Sequence, residues 1–191
     1  MPRTQRYEVE NGWYHVFSRG AAKRHIFFND YLKSLFINFL IETIQYYKFQ
    51  IHCFCIMGNH YHLLINTPEA NLSEGMCFLN SKYARAFNKH RRKDGPIFKS
   101  RFKSIYVLNE RYLLNLTRYI HLNPVTSGIV DAPEKYYWSS CIDYISDISR
   151  YAWLQRDLAG NTVLYNGYIN KGNNIRITEF YAKNRLPSIL K

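Results

Sequence analysis

Acidic residues are scarce in this chain of 191 residues, which has 14 aspartates and glutamates against 26 lysines and arginines and a formal net charge of +12. An excess this basic favours a polyanionic partner, either nucleic acid or an anionic membrane surface. Long apolar runs are also missing, since no stretch of about 18 uncharged apolar residues occurs, and we expect no membrane-spanning helix. Residues 1–6 lack the apolar core of a secretory signal, so we expect a cytoplasmic protein.

Paired cysteines are missing as well. The four cysteines, Cys53, Cys55, Cys77 and Cys141, form no C-x-x-C pair, which predicts reduced and mostly buried thiols rather than a disulfide framework. Aromatic residues, by contrast, make up 17% of the chain. Rings among basic residues suit unpaired bases, although core packing is the commoner role of any one tyrosine.

Seven elements are predicted along the chain, in the order strand, helix, strand, strand, helix, strand, helix. The predicted strands are residues 13–19, 49–57, 60–66 and 97–107, and the predicted helices are residues 30–47, 73–89 and 109–122. We expect Ser73 and Asn109 to cap the last two helices and Asn123-Pro124 to end the third. This order predicts an α+β fold in which an antiparallel sheet is flanked by helices.

The residues after the third helix are less regular and form a predicted C-terminal extension. We expect its aromatic side chains to anchor it to the main body. These side chains are Tyr136, Tyr137, Trp138, Tyr144, Tyr151 and Trp153. The predicted division is a main domain over residues 1–130 and an extension over residues 131–191 that packs on it.

The run His60-Tyr61-His62 is the first candidate for chemistry. Residues two apart in a strand point to the same face, so both imidazoles project together with their Cα atoms about 7 Å apart. Two such imidazoles can share a divalent cation. The pattern also arises by chance, and an ordinary pair of surface or packed histidines is the competing interpretation.

Tyr119 and Asn123 form the second candidate pair. Residues four apart in a helix lie on one face, so the phenol and the amide oxygen can approach the same point. A core tyrosine followed by a helix-ending Asn-Pro is the competing interpretation here.

Taken together, the two pairs make a chemically coherent site. Two neutral imidazoles and an amide oxygen would leave coordination positions open, and this donor set suits Mg²⁺ or Mn²⁺ when the substrate brings phosphate oxygens. A structural zinc site in which Cys53 and Cys55 join the histidines is the rival.

The predicted fourth strand carries a row of cations. Lys99, Arg101 and Lys103 alternate along it and would share one face, with Phe98 and Phe102 on the other. A cationic stripe opposite an apolar face suits a sheet that binds a phosphate backbone, and a plain solvated strand is the alternative. Further basic residues favour nucleic acid, namely Arg85, Arg91, Arg92 and Lys93.

Several motifs in this sequence resemble those of single-tyrosine HUH transposases. The run I-M-G-N-H-Y-H-L-L-I resembles the HUH motif (histidine, bulky residue, histidine), and R-Y-I-H-L-N-P-V resembles the nucleophile helix. The runs W-Y-H-V-F-S-R-G, G-P-I-F-K-S-R-F-K-S and Y-W-S-S are similar to the REP-associated tyrosine transposase branch. The resemblance spans roughly residues 10–150, with its motifs in the expected order.

This resemblance implies a ferredoxin-like fold and a particular reaction. Tyr119 would attack a DNA phosphodiester and stay joined to the 5′ phosphate, while His60, His62 and Asn123 would hold the divalent ion. A later 3′ hydroxyl would rejoin the DNA without ATP, because the phosphotyrosine bond keeps the energy of the broken link. Relatives recognise a hairpin beside the cleaved single strand. The candidate residues for binding this DNA are Arg19, Lys99, Arg101 and Lys103.

This chain departs from the family in small ways. Gly58 stands where relatives often have proline, and Asn123 stands where compact relatives use the longer glutamine. Compact relatives also end soon after the tyrosine helix and form dimers that exchange it. Because this chain continues, we expect its extension to pack the helix in cis and leave a monomer, with a dimer as the alternative.

Two other functions are compatible with this sequence. A domesticated, non-catalytic protein that binds DNA hairpins would keep the basic residues and form no covalent adduct. An RNA-binding regulator would prefer RNA hairpins to DNA hairpins. All four candidate side chains are present, which favours an enzyme over these two alternatives. The expected enzyme is a metal-dependent endonuclease and transposase acting on single-stranded DNA.

Overall fold

A four-stranded antiparallel sheet lies at the centre of the chain. The computed structural model describes residues 6–109 and 112–170. The strands are β1 (Gly12–Arg19), β2 (Gln50–Ile56), β3 (His60–Thr67) and β4 (Lys103–Tyr106), in the spatial order β2-β3-β1-β4. The two central strands, β1 and β3, pair along their whole lengths. The predicted α+β fold with an antiparallel sheet is confirmed.

Helices cover both faces of this sheet. In the described part of the chain they are α1 (Asp30–Tyr47), α2 (Leu72–Arg91), α3 (Leu113–Thr126), α4 (Cys141–Ile145) and α5 (Thr162–Ile169). On one face, the ring of Phe36 in α1 lies 4.8 Å from the ring of Tyr61 in β3 and 5.4 Å from that of Tyr83 in α2. On the other face, Cys53 Sγ lies 3.8 Å from the carbonyl oxygen of Thr117 in α3. Helix α3 and the two long helices, α1 and α2, are therefore on opposite sides of the sheet.

The two long helices begin with different caps. At α1, the side-chain oxygen of Asn29 accepts from the backbone N–H of Leu32 at 2.9 Å. α2 begins at Leu72, and Ser73 does not cap it as predicted; its N–H and its hydroxyl both donate to the carboxylate of Glu8. A carboxylate is favourable there because the first N–H groups of a helix have no partners within it.

The predicted fourth strand is too long. Only Lys103–Tyr106 forms a strand against β1. Just before it, Phe102 is buried beneath Arg6, whose guanidinium lies 3.8 Å from the ring centre and donates to the Phe102 carbonyl at 2.7 Å. Phe98 forms an isolated bridge with Gly20, and the N–H of Lys99 donates to the Arg19 carbonyl at 2.8 Å, so residues 100–102 interrupt the predicted strand.

The predicted end of α3 is also wrong. The helix begins later than the predicted cap residue Asn109 and continues through Pro124. Since proline has no N–H, the carbonyl of Ile120 lacks its usual donor one turn on. The side-chain nitrogen of Asn123 donates to the carbonyls of Tyr119 and Ile120 at 2.9 and 3.5 Å, which replaces part of the missing bonding.

The chain beyond α3 covers the free edge of the sheet. The N–H of Ile56 in β2 donates to the Trp138 carbonyl at 2.8 Å, and the N–H of Ser140 donates to the Phe54 carbonyl at 3.0 Å. Because β2 is an edge strand, these bonds occupy groups that would otherwise be open to pairing with another chain.

Most of the predicted aromatic anchors are in contact with the core. The buried ones are Tyr136, Trp138 and Tyr144. Tyr151 and Trp153 pack on Phe54 with ring centres 5.4 and 5.8 Å away, whereas Tyr137 is 60% exposed. Residues 171–191 of the predicted extension lie outside the described residues, and the division at residue 130 stays a prediction.

The four cysteines are free thiols, and three of them are buried. Cys53, Cys55 and Cys141 lie in the interior, while Cys77 is exposed on α2. Among the residues that the structure describes, no helix is long and apolar enough to cross a membrane.

Candidate active site

A cavity of about 380 Å³ opens between β1, β3, α3 and the segment before β4. All four residues predicted to carry chemistry line it. They are His60, His62, Tyr119 and Asn123. The structure thus brings together two pairs that are about 60 residues apart in sequence.

The two histidines reach the cavity from consecutive outward positions of β3. Their ring centres are 5.1 Å apart and their planes are nearly perpendicular, at 89°. Tyr61 between them is fully buried on the opposite side of the sheet. The strand alternation that suggested the pair therefore holds here.

Two further side chains orient these imidazoles. Asn59 Oδ1 lies 2.6 Å from His60 Nδ1, and His15 Nε2 lies 2.8 Å from His62 Nδ1. Each candidate ligand thus uses Nδ1 within the protein, which leaves its Nε2 as the nitrogen to offer an ion. Sequence reasoning missed both partners. Strand alternation could have indicated His15. It lies two residues before Phe17, which lines the cavity, so both side chains are on the same face of β1.

Burial keeps the histidines neutral. It lowers the pKa of His60 to about 4, with the positive charge of Arg19 acting in the same direction. Burial, together with neighbouring His15 and His60, lowers the pKa of His62 well below its usual range. Since only a neutral imidazole has a lone pair to donate, both side chains are in the form that ligates a cation at neutral pH.

Tyr119 faces the histidines from α3. Its ring centre lies 5.8 Å from that of His62 and 6.0 Å from that of His15. Burial raises the pKa of Tyr119, and hydrogen bonding to the Asn123 side chain opposes this shift. The phenol is therefore protonated at neutral pH.

Asn123 is held by its own helix. Its side-chain nitrogen bonds to the helix backbone as described above, which leaves its oxygen for the Tyr119 hydroxyl or for an ion in the cavity that Asn123 lines. A backbone-tethered amide presents an oxygen with little freedom to turn away.

The donor set fits a magnesium or manganese ion better than a structural zinc. Two neutral nitrogens and one amide oxygen converge here, and they leave room for phosphate oxygens. The rival site with Cys53 and Cys55 is not supported, because the described residues contain no group of three or more histidine, cysteine or acidic side chains that could hold a metal. Both thiols are fully buried, and burial raises their pKa values.

Four of the seven predicted DNA-binding cations line the same cavity. They are Arg19, Lys99, Arg101 and Lys103. No carboxylate lines it among the described residues, so its rim is uniformly positive. The other three, Arg85, Arg91 and Arg92, are exposed on α2 and at its C-terminal end, outside this cavity.

Comparisons with known proteins agree with this geometry. The chain matches the family described as "Transposase IS200 like" over residues 8–123. Over 110 residues it is 30% identical to a protein of Haemophilus influenzae provisionally classed as a REP-associated tyrosine transposase. That match covers 52% of this chain and 62% of the length of that relative.

A solved structure shares the fold. It is described as the REP-associated tyrosine transposase bound to a REP hairpin, and it superposes with a TM-score of 0.66 at 16% sequence identity. The superposition covers 82% of this chain and 98% of the other. The expected resemblance to REP-associated tyrosine transposases is confirmed, and the family match extends from the start of the sheet to Asn123. This chain belongs to the family of IS200-like transposases.

Proposed function

We propose that this protein is a divalent-metal-dependent enzyme that cleaves and rejoins single-stranded DNA beside a hairpin, with Tyr119 as its nucleophile. The observation that most supports this is the convergence of a half-buried phenol, two neutral imidazoles and an amide in one cation-rimmed cavity. Membership of a transposase family supports the same reaction class.

The proposed chemistry is a transesterification at phosphorus. The Tyr119 oxygen forms a bond to the scissile phosphorus and gives up its proton, while the bond to the 3′ oxygen breaks and that oxygen takes up a proton. The product is a 5′-phosphotyrosine and a free 3′ hydroxyl. Attack by a 3′ hydroxyl reverses the step and joins DNA, so no external energy source is required.

The residues around the nucleophile have distinct roles in this proposal. His60, His62 and Asn123 would hold the ion, which would neutralise charge that builds on the scissile phosphate. Arg19 and Lys103 lie on paired strands at the rim and would bind the phosphates that flank the scissile one. The uniformly positive rim suits a polyanion such as a DNA backbone and disfavours a cationic substrate.

Hairpin DNA is the proposed partner. The solved relative described as bound to a REP hairpin has the same fold, which makes a hairpin the substrate to try first. A single-stranded flank is required because the scissile phosphate must pass between the cations and reach a half-buried phenol.

The nucleophile is tested with a radiolabelled hairpin oligonucleotide that carries a single-stranded flank, incubated with Mn²⁺. The wild-type chain is expected to give a covalent protein–DNA band on a denaturing gel. Tyr119→Phe should lose this band and keep its affinity for the oligonucleotide, because only the attacking oxygen is removed. The matched control is Tyr46→Phe, at a tyrosine that is 71% exposed on α1, and it should behave as wild type.

The outcomes of this experiment separate the candidate functions. A covalent band that persists in Tyr119→Phe would show that another residue is the nucleophile. Binding without any band in Mg²⁺ or Mn²⁺ would favour a non-catalytic DNA-hairpin-binding protein. Preference for the matched RNA hairpin in competition would favour an RNA-binding regulator.

We also infer that α3 acts in cis in a monomer. His121 on α3 lies 2.7 Å from Ser140 Oγ and 2.6 Å from the hydroxyl of Tyr165, so the later chain holds the helix on its own sheet. Light scattering at micromolar concentration is expected to give the mass of one chain. A stable dimer would contradict this inference.

A further inference from the structure

A second cavity, of about 290 Å³, lies beside the candidate active site. Three cations line it, Arg24, Arg91 and Lys93, against a single carboxylate, Asp94. Its lining is thus also positive. The cavity lies where the loop after β1 meets the C-terminal end of α2.

The exposed ring of Phe28 lines this second cavity, and the exposed ring of His90 lies close to those of Phe28 and Tyr31. Phe28 is 42% exposed and Tyr31 is 58% exposed. The ring of His90 lies 6.4 Å from that of Phe28 and 5.3 Å from that of Tyr31, and the Arg91 guanidinium lies 5.2 Å from the centre of Phe28. We call these four residues the aromatic platform. Core packing does not account for Tyr31 and His90, which are exposed, whereas the exposed Phe28 also contacts Phe87 with ring centres 6.2 Å apart.

The platform is adjacent to the active site. Ile97 lines the second cavity, whereas Lys99, two residues along, lines the first. The segment between them is fixed to the end of β1, since the N–H of Ala21 donates to the Ile97 carbonyl and the N–H of Lys99 donates to the Arg19 carbonyl, both at 2.8 Å. The end of β1 and the short segment bonded to it therefore lie between the two cavities, and a DNA strand that reaches both has to pass this end of the sheet.

We propose that the aromatic platform stacks an unpaired nucleotide of the same DNA whose scissile phosphate enters the active site. This inference rests on the proposed function, because it assumes a nucleic-acid substrate. Every base has a π-face that can stack on an exposed ring, and neighbouring cations bind the phosphates on either side. Arg91 contributes in both ways, since its guanidinium already lies over Phe28.

The test measures binding by fluorescence anisotropy in a Tyr119→Phe background, so that cleavage does not interfere. One probe is a hairpin oligonucleotide with a single-stranded flank, and the other is the same hairpin with its flank paired to a complementary strand. Phe28→Leu should weaken binding of the single-stranded flank about tenfold or more, because leucine has no face for stacking. Phe28→Trp should retain the affinity of the parent.

Two controls separate stacking from loss of structure and from charge. Tyr46→Leu removes another exposed ring, on α1, and should leave both affinities unchanged. Raising the salt concentration should weaken binding by every variant, while the ratio between Phe28→Leu and its parent persists, because stacking releases no counterions. Equal affinity of Phe28→Leu and its parent would overturn the proposal, and so would an equal loss on both probes.

The two proposals fail in distinguishable ways. If the wild-type chain forms the covalent adduct and Phe28→Leu binds as its parent does, only the platform is wrong, and its exposed rings would then fit a protein partner. If no adduct forms in any metal and binding still depends on the ring at Phe28, the platform stands and the catalytic proposal is wrong.

Discussion

Two side chains outside the predicted ligand set orient the imidazole rings of His60 and His62. Asn59 and His15 each occupy the Nδ1 of one candidate ligand. Asn59 also donates to the Lys23 carbonyl at 3.2 Å, which ties the turn before β3 to the loop after β1. Orientation of a ligand by a hydrogen-bonded neighbour commonly governs how well it binds an ion.

Removal of the Asn59 amide should therefore weaken the ion site. We expect Asn59→Ala to raise the Mn²⁺ concentration needed for half-maximal adduct formation about 10–100-fold, because the His60 ring loses its fixed orientation. The control is Asn38→Ala, at an exposed position of α1. An unchanged Mn²⁺ requirement in Asn59→Ala would contradict the positioning role.

The thiols offer a second prediction at the residue scale. Reaction with a disulfide reagent such as DTNB should be fast at Cys77 alone in the folded protein and should reach all four cysteines after denaturation. The other three react slowly because burial raises their pKa values and excludes the reagent. Cys77→Ser should abolish the fast phase, and a second fast thiol in the native chain would mean that the core opens readily.

At the scale of elements, α3 has the most consequential packing. One side carries Tyr119 toward the histidines, and the other is held by the chain that follows it. Besides the two bonds of His121, Asn115 accepts a hydrogen bond from the Tyr168 hydroxyl of α5. These polar contacts fix the rotation of α3, since each has one favourable geometry, whereas apolar contacts tolerate small rotations.

Truncation of His121 tests this attachment. His121→Ala should lower the free energy of unfolding by about 2–4 kcal/mol, since it leaves a cavity and removes the hydrogen-bond partner of the buried Tyr165 hydroxyl. Urea denaturation followed by circular dichroism measures the change. Thr126→Ala, at an exposed site near the end of α3, should stay within about 0.5 kcal/mol of wild type. A similarly small effect of His121→Ala would show that the extension does not hold the helix.

The segment before β4 shows how an element can differ from its sequence pattern. Its alternation predicts a strand that presents three cations on one face. In the structure Lys99 and Arg101 still line the active-site cavity with Lys103, although only Lys103 lies in a strand. A turn stabilised by the distant Arg6 brings them to the same place.

Across the whole molecule, the net charge of +12 is unevenly distributed. Lysine and arginine side chains line both cavities, and Asp94 is the one carboxylate among the described residues that line either. Two adjacent positive cavities can follow a DNA strand over several phosphates. Attraction of this kind weakens as salt screens the charges and as the entropy gained by releasing counterions into the solution falls.

The salt dependence of DNA binding should show which individual lysines and arginines contact phosphates. For single-stranded DNA, each phosphate contact contributes about 0.7 to the slope of log affinity against log salt concentration. We therefore expect Lys103→Gln to reduce the magnitude of this slope by about 0.7, as measured by anisotropy titrations. Lys48→Gln, at an exposed lysine that follows α1, should leave the slope unchanged. An unaltered slope in Lys103→Gln would remove that residue from the interface.

The sequence by itself determined the class of fold and the four residues of the candidate site. The fold class rests on the order of the predicted elements. The four residues rest on local geometry, which brings His60 and His62 to one face of a strand and Tyr119 and Asn123 to one face of a helix, together with the resemblance to single-tyrosine HUH transposases. The basic composition likewise predicts a polyanionic partner without any knowledge of the fold.

The tertiary structure alone decided which neighbours orient the residues of the candidate site and which cations line its cavity. His15 reaches His62 across paired strands, and Arg6 turns the segment before β4 through a contact distant in sequence. Arg91 belongs to a second cavity rather than the first because α2 ends beside the loop after β1. Such contacts depend on how elements pack, and no spacing within a single element encodes them.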